Sequence, residues 1–196
     1  MDFVLFDLGG VLCNVEPQLA EDAWARAGLD SASIVELMHR SLAKPQGDVG
    51  GLDIGGMAKS LGDTIGTQVP DELLIQVWGA MVSWRPFVAD LVQRLTVPYG
   101  VLSTIDPIHS LALGPLSGAM PLVYSWEIGV AKPHRDAFLM AIAKCPVAPE
   151  RILYLDDLQE NVDEAKRCGL NAYTVTEEAD IVRLLKRHVN GFSMEL

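Results

Sequence analysis

The chain has 196 residues, 49% of them apolar, and a formal net charge of −11 at pH 7. That length suits one domain, or a core with a small insert, and the apolar fraction is enough for a buried core. So acidic a surface repels phosphate backbones and anionic lipid, which argues against general nucleic-acid or membrane-surface binding, and no apolar run is long enough to cross a bilayer.

From the amino terminus, residues 3–6 form a short apolar run closed by Asp7, Leu8, Gly9 and Gly10. It reads as a buried strand and not as a secretory signal, because no basic segment precedes it and Asp2 interrupts the apolar stretch. The interval 14–84 follows, with helical patterns over 17–27, 31–43 and 71–82 and no strand pattern. Pro17 and Ser31 suit helix starts, Gly28, Leu29 and Asp30 separate the first two helices, and the glycine-rich segment 47–51 reads as a loop. Further strands are predicted at 100–102, 122–124, 152–155 and 172–175. Helical patterns lie between most of them, at 86–95, 134–144 and 160–168, the last stopped by Gly169. This alternation predicts an α/β fold, a Rossmann-like parallel sheet covered by helices. The core would comprise 1–13 and 85–196, with a small helical cap, 14–84, inserted after the first strand. Three scattered cysteines, Cys13, Cys145 and Cys168, form neither a disulfide framework nor a metal knuckle, so a reducing cytoplasm is the expected compartment.

Ligands of such sheets bind beyond the carboxyl ends of the strands, and polar residues collect there. Asp7 ends the first strand, and the glycines after it allow backbone to approach an anion or a metal closely. Ser103 and Thr104 end the second strand and offer hydroxyls to a phosphate. Lys132 follows the third, pinned by Pro133. Asp156 and Asp157 end the fourth, followed by Asn161. Each has an ordinary reading as a turn, a helix cap or a solvated side chain. Two adjacent acids at a sheet edge nevertheless repel unless a cation compensates them, and magnesium suits oxygen ligands with few carboxylates.

Taken together, an Asp, a Ser, a Lys and an Asp pair after four successive strands resemble the haloacid-dehalogenase-like hydrolase superfamily. Within it, the Asp-Leu-Gly start is similar to helical-capped sugar-phosphate phosphatases. The resemblance implies that Asp7 is a covalent nucleophile. It also implies that Asp7, the carbonyl of Gly9 and Asp157 hold Mg2+, with Asp156 acting mainly through bound water. Ser103, beside Thr104, would grip the phosphoryl group, and Lys132 would balance its charge. Gly10 and Asn161 would support the loops. The expected substrate is a small phosphorylated metabolite.

One departure from the family pattern is Gly9, where a second aspartate usually protonates the leaving group; Glu16 is the acid nearby in sequence. Another is Thr104, where asparagine often follows the serine. Two alternatives follow. One is a 2-haloacid dehalogenase-like hydrolase, against which the Asp156-Asp157 pair argues. The other is a catalytically weak metabolite-binding or interaction protein, which Gly9 keeps open. His39, Arg40, Lys44, Trp84 and Arg85 are candidate cap residues near substrate, with Trp84 also a candidate anchor of the cap–core junction. Cys13 reads as a small packing residue.

Overall fold

A computed structural model describes residues 1–29 and 32–195. In chain order its elements are β1 (Phe3–Phe6), β2 (Cys13–Val15), α1 (Pro17–Arg26), α2 (Ile34–Arg40), α3 (Ala43–Gly47), α4 (Ile54–Ile65), α5 (Asp71–Trp78), β3 (Val82–Trp84) and α6 (Val88–Arg94). They continue with β4 (Tyr99–Ser103), α7 (Pro107–Leu113), β5 (Leu122–Tyr124), α8 (Ser125–Ile128), α9 (Arg135–Lys144), β6 (Ile152–Asp156), α10 (Gln159–Arg167), β7 (Asn171–Thr174) and α11 (Glu178–His188).

Five strands form one parallel sheet in the order β5-β4-β1-β6-β7. Strand β1 is central and fully buried, which is why it reads as an unbroken apolar run. Its alternate residues serve opposite faces. Val4 and Phe6 join Val101, Leu153 and Leu155 beneath α6 and α11, where Leu91, Ile181 and Leu185 pack. Phe3 and Leu5 join Leu102, Val123 and Tyr154 beneath α9 and α10, where Phe138, Ala141, Val162 and Ala165 pack. Each fully buried Leu, Val or Phe in these layers contributes roughly 2 kcal/mol. This is the α/β, Rossmann-like sheet expected from the sequence.

Helices α1 to α5 lie between β2 and β3 and carry a core of their own, centred on Trp24, Ile34, Met38, Met57, Leu61, Leu74 and Trp78. Two sequence expectations fail in this cap. The interval was expected to hold no strand, yet β2 and β3 pair antiparallel, with Cys13 opposite Trp84 and Val15 opposite Val82. This three-residue ribbon carries the chain out to the cap and back, and runs so short leave no alternation to detect. The continuous helix expected over 31–43 instead breaks at Leu42, whose φ of 60° is left-handed, and α3 runs on to Gly47 in the segment read as loop. The expected start at Ser31 lies outside the described residues.

Helix α4 was not foreseen, because Gly55, Gly56 and Gly62 make it a poor helix former. Tertiary packing overrides that preference: Met57, Ala58 and Leu61 enter the cap core. A side chain at Gly62 would meet the Thr67 carbonyl at 2.8 Å, so glycine there lets the chain fold back closely. Among the described residues no helix is long and apolar enough to cross a membrane.

Candidate active site

The carboxyl ends of β1, β4 and β6 lie side by side in the sheet, and the loops leaving them converge. After β1 the chain turns at once: the amides of Val11, Leu12 and Cys13 all donate to the Leu8 carbonyl. Gly10 has φ +70°, and a Cβ there would run into the Asp157 carboxylate. Glycine at this position is therefore what lets the first and fourth loops close on each other. Gly9 is different. Its φ is not positive, and a Cβ would meet only Val15 Cγ2, at an ordinary 3.6 Å.

Lys132 is the hub. Its Nζ lies 2.7 Å from Asp7 Oδ1 and 2.7 Å from Asp156 Oδ2, and it donates to the Tyr154 hydroxyl at 3.2 Å. Its backbone amide donates to Thr104 Oγ1 at 3.0 Å, which latches the lysine loop to the serine loop. Thr104 thus has a definite loop contact where the family often has asparagine.

Asp156 is wholly buried. Its Oδ1 accepts from the Leu158 amide and Asn161 Nδ2, both at 2.9 Å; its Oδ2 accepts from Lys132 and from the Tyr154 hydroxyl. Four protein donors therefore occupy a carboxylate that the resemblance placed at the metal through water. Asn161 thereby ties the first turn of α10 to the end of β6. Tyr154 was missed by sequence reasoning, because as an aromatic residue within an apolar strand it looks like packing; only its place two residues before Asp156, on the same face, could have hinted at more.

The electrostatics follow from this arrangement. Burial raises Asp7 to a pKa of about 6, with Lys132 opposing and Asp156 adding to the rise. Burial also raises Asp157, helped by the Asp156 charge. Burial opposes the ionised form of Asp156 too, yet the Lys132 charge and its hydrogen bonds hold it below the ordinary carboxylate range. Lys132 is itself shifted upward by Asp7 and Asp156 against the effect of burial, so its charge is retained. Oxygens of Asp7, Asp156 and Asp157 all lie within 4.8 Å of one another. Three carboxylates against one ammonium leave two negative charges uncompensated, which is the complement of a divalent cation. The donor set, all oxygen, fits magnesium.

A cavity of about 760 Å³ opens over this cluster. It is lined by Asp7, Gly9, Gly10, Ser103, Thr104, Lys132, Asp157 and Asn161, together with residues of β2, the turn after β3, α10 and the segment after β7. Ser103, on this lining, is buried. Cys13 also lines it, but burial pushes its thiol up to about 12, so it remains an inert packing group. Of the cap candidates, Arg85 lines the cavity. His39 and Arg40 are exposed elsewhere, and Lys44 turns to Asp48 and Asp106. Trp84 ties the ribbon to the core, its indole donating to the Leu113 carbonyl at 2.8 Å.

The sheet thus gathers an aspartate, a serine, a lysine and an acidic pair at its carboxyl edge. The model of the haloacid dehalogenase-like hydrolases matches residues 1–169, and the chain belongs to this family. It is 26% identical over 191 residues to a D-ribitol-5-phosphate phosphatase of Bacteroides thetaiotaomicron, covering 90% of this chain and 93% of the relative. A haloacid-dehalogenase-family enzyme of the same organism, solved with magnesium and inorganic phosphate, superposes with a TM-score of 0.82 at 21% identity, over 94% of this chain and 98% of the other. An L-2-haloacid dehalogenase of Xanthobacter autotrophicus gives 0.63 at 20% identity, over 95% of this chain and 82% of the other, a likeness of fold.

Proposed function

We propose that this hydrolase is a magnesium-dependent phosphatase of a small phosphorylated metabolite, a sugar or sugar-alcohol phosphate, acting through an aspartyl phosphate on Asp7. The observation that carries the reading is the charge imbalance around Lys132: Asp7 and Asp157 stand beside a lysine already shared with Asp156, with two negative charges left over. The similarity to a ribitol-phosphate phosphatase supports the substrate class.

Asp7, the Gly9 carbonyl and Asp157 would hold the magnesium ion, which when bound supplies Lewis-acid neutralisation of the phosphoryl oxygens. Asp156 serves chiefly to hold Lys132, given its four protein donors. An Asp7 oxygen attacks phosphorus while the bond from phosphorus to the leaving oxygen breaks, and that oxygen takes a proton. Water then attacks the aspartyl phosphate, releasing phosphate and restoring the carboxylate. Lys132 and the Ser103 hydroxyl stabilise the charge on the transferring group. Gly9 offers no proton. Glu16, which lines the same cavity, or a substrate hydroxyl takes that part.

The test is hydrolysis of an aryl phosphate, whose leaving group needs little protonation. Phosphate release should require magnesium and disappear in excess chelator. Undiminished turnover in chelator would overturn this reading and favour metal-free dehalogenase chemistry.

A further inference from the structure

Beyond the residues proposed to bind phosphate, the cavity wall is built from Asn14, Glu16, Arg85, Leu158, Glu160 and Thr176. Its charges are distributed unevenly. Among the described residues the cations on the lining are Lys132 and Arg85. Lys132 is committed to Asp7 and Asp156. Arg85 is committed to the loop behind it: Nη1 donates to the carbonyls of Gly10 at 3.3 Å and Val11 at 3.2 Å, Nη2 lies 3.4 Å from Glu178 Oε1, and the guanidinium sits 5.3 Å over the Phe87 ring. No spare cation remains for a second anionic group on a substrate. Glu16 and Glu160 on the lining are exposed, and Asn14 beside them on the lining is half-buried.

We infer that the outer cavity selects a monophosphate with an uncharged, hydroxyl-rich leaving group, and that Glu16 and Glu160 exclude substrates carrying a second phosphate or a carboxylate. The inference rests on the phosphatase reading and sharpens its substrate class. The two carboxylates accept hydrogen bonds from hydroxyls, and the Asn14 amide both donates and accepts, as a polyol requires. A second anion would instead meet like charges in a cavity with low-dielectric walls, on a protein of net charge −11. The lining contains no aromatic ring, so the cage that recognises quaternary ammonium groups is absent among the described residues. The volume suits a molecule of sugar size.

The experiment compares kcat/KM, with magnesium present, for an alditol monophosphate, the aldonate phosphate of equal chain length, the alditol bisphosphate and an aminoalkyl phosphate. An aryl phosphate serves as the reference. The alditol phosphate should exceed the aldonate phosphate and the bisphosphate by roughly tenfold or more, the scale of one close like-charge contact near a protein surface. Glu160→Gln should narrow that ratio and Glu160→Lys should narrow it further or reverse it. Glu16→Gln should narrow the ratio too, even if kcat falls for every substrate through loss of a proton donor. Equal rates across the native panel, faster turnover of the aminoalkyl phosphate, or a ratio unmoved by Glu160→Lys would each overturn the inference. Failure on the aryl phosphate would instead be failure of the phosphatase reading. Calorimetric affinities of the alditol and aldonate phosphates for Asp7→Asn protein then decide the selectivity without turnover, with the same order expected and equal affinities overturning it.

Discussion

Among the described residues two buried ionic centres stand out, one at the sheet edge and one where the cap meets the core, and they are built on opposite principles. At the cap junction, Asp106 Oδ1 accepts from the His109 amide at 2.9 Å. Its Oδ2 accepts from Trp78 Nε1 at 3.0 Å and faces His109 Nδ1 at 3.0 Å, with Lys44 Nζ at 3.9 Å. His109 Nε2 lies 3.0 Å from the Trp78 carbonyl, and its ring stacks on the Trp78 indole. The buried side-chain nitrogens and oxygens of Asp106, His109 and Trp78 all have partners. Burial opposes the charge of Asp106, but His109 and Lys44 prevail and hold its pKa at about 2. At the sheet edge, by contrast, burial wins over Lys132 and raises Asp7 to about 6. One centre is satisfied and contributes to stability; the other is short of positive charge and opens on a cavity. Unmet electrostatic demand marks the site, not burial of charge as such.

This contrast can be broken at either end. The largest effect is expected from Asp7→Asn, a nearly isosteric change that removes the carboxylate proposed as nucleophile. Phosphate release should fall by a factor on the order of 10^4 or more, with the fold intact by circular dichroism. Near-native turnover would show that Asp7 is not the attacking group.

Asp106→Ala should act on stability instead. It leaves His109 and the Trp78 indole without their acceptor in a buried setting, and about 3–5 kcal/mol should be lost, read as a lowered midpoint in denaturant. A loss below about 1 kcal/mol would mean that the junction is not held by this network.

Magnesium should separate the centres further. At a hundredfold excess over its Kd the ion should stabilise the native protein by about 2.7 kcal/mol, and Asp157→Ala should remove most of that gain. Thermal melts with and without magnesium provide the check, and an undiminished shift in Asp157→Ala would relocate the metal.

The two aspartates also predict opposite pH slopes in the metal-free protein. Asp106, lowered from 3.8 to about 2, contributes stability above pH 4 that is lost as pH falls toward 2, roughly 2 kcal/mol in all. Asp7, raised from 3.8 to about 6, contributes stability below pH 4 that is lost as pH rises through 6. Denaturant midpoints from pH 2 to 7 should therefore rise and then fall, and Asp7→Asn should flatten only the descending limb. The finest adjustment is Gly9→Asp. With φ not positive and Val15 Cγ2 at 3.6 Å, the site accepts a side chain, so the positive-φ strain that any glycine raises as a concern does not apply there. The variant should speed alkyl phosphates relative to aryl phosphates if a missing acid limits the reaction; an unchanged ratio would credit Glu16 or a substrate hydroxyl.

Much of the sheet-edge centre was legible in the chain because its residues punctuate apolar runs. Ser103 and Asp156 each close a strand, and Asp7 and Asp157 each directly follow one. A short apolar run that stops at a polar residue marks both the strand and its tip. The cap-junction centre left no such mark. Asp106 and His109 begin a helix, α7, that no pattern announced, Trp78 draws no attention in the sequence, Lys44 reads only as a candidate residue near substrate, and these residues come together from separate elements.

The sequence by itself determined the α/β fold with its parallel sheet and which polar residues end or follow which strand, since these depend on local periodicity and on residue type at strand ends. Tertiary structure decided the rest. It set the order of the strands along the sheet, which carboxylate of the acidic pair holds the lysine, the engagement of Arg85 with Gly10, Val11 and Glu178, the closeness of Gly10 to Asp157, and the helix formed by glycine-rich 54–65. Each of these is settled by contacts between segments far apart in the chain, where burial and charge compensation outweigh local preference.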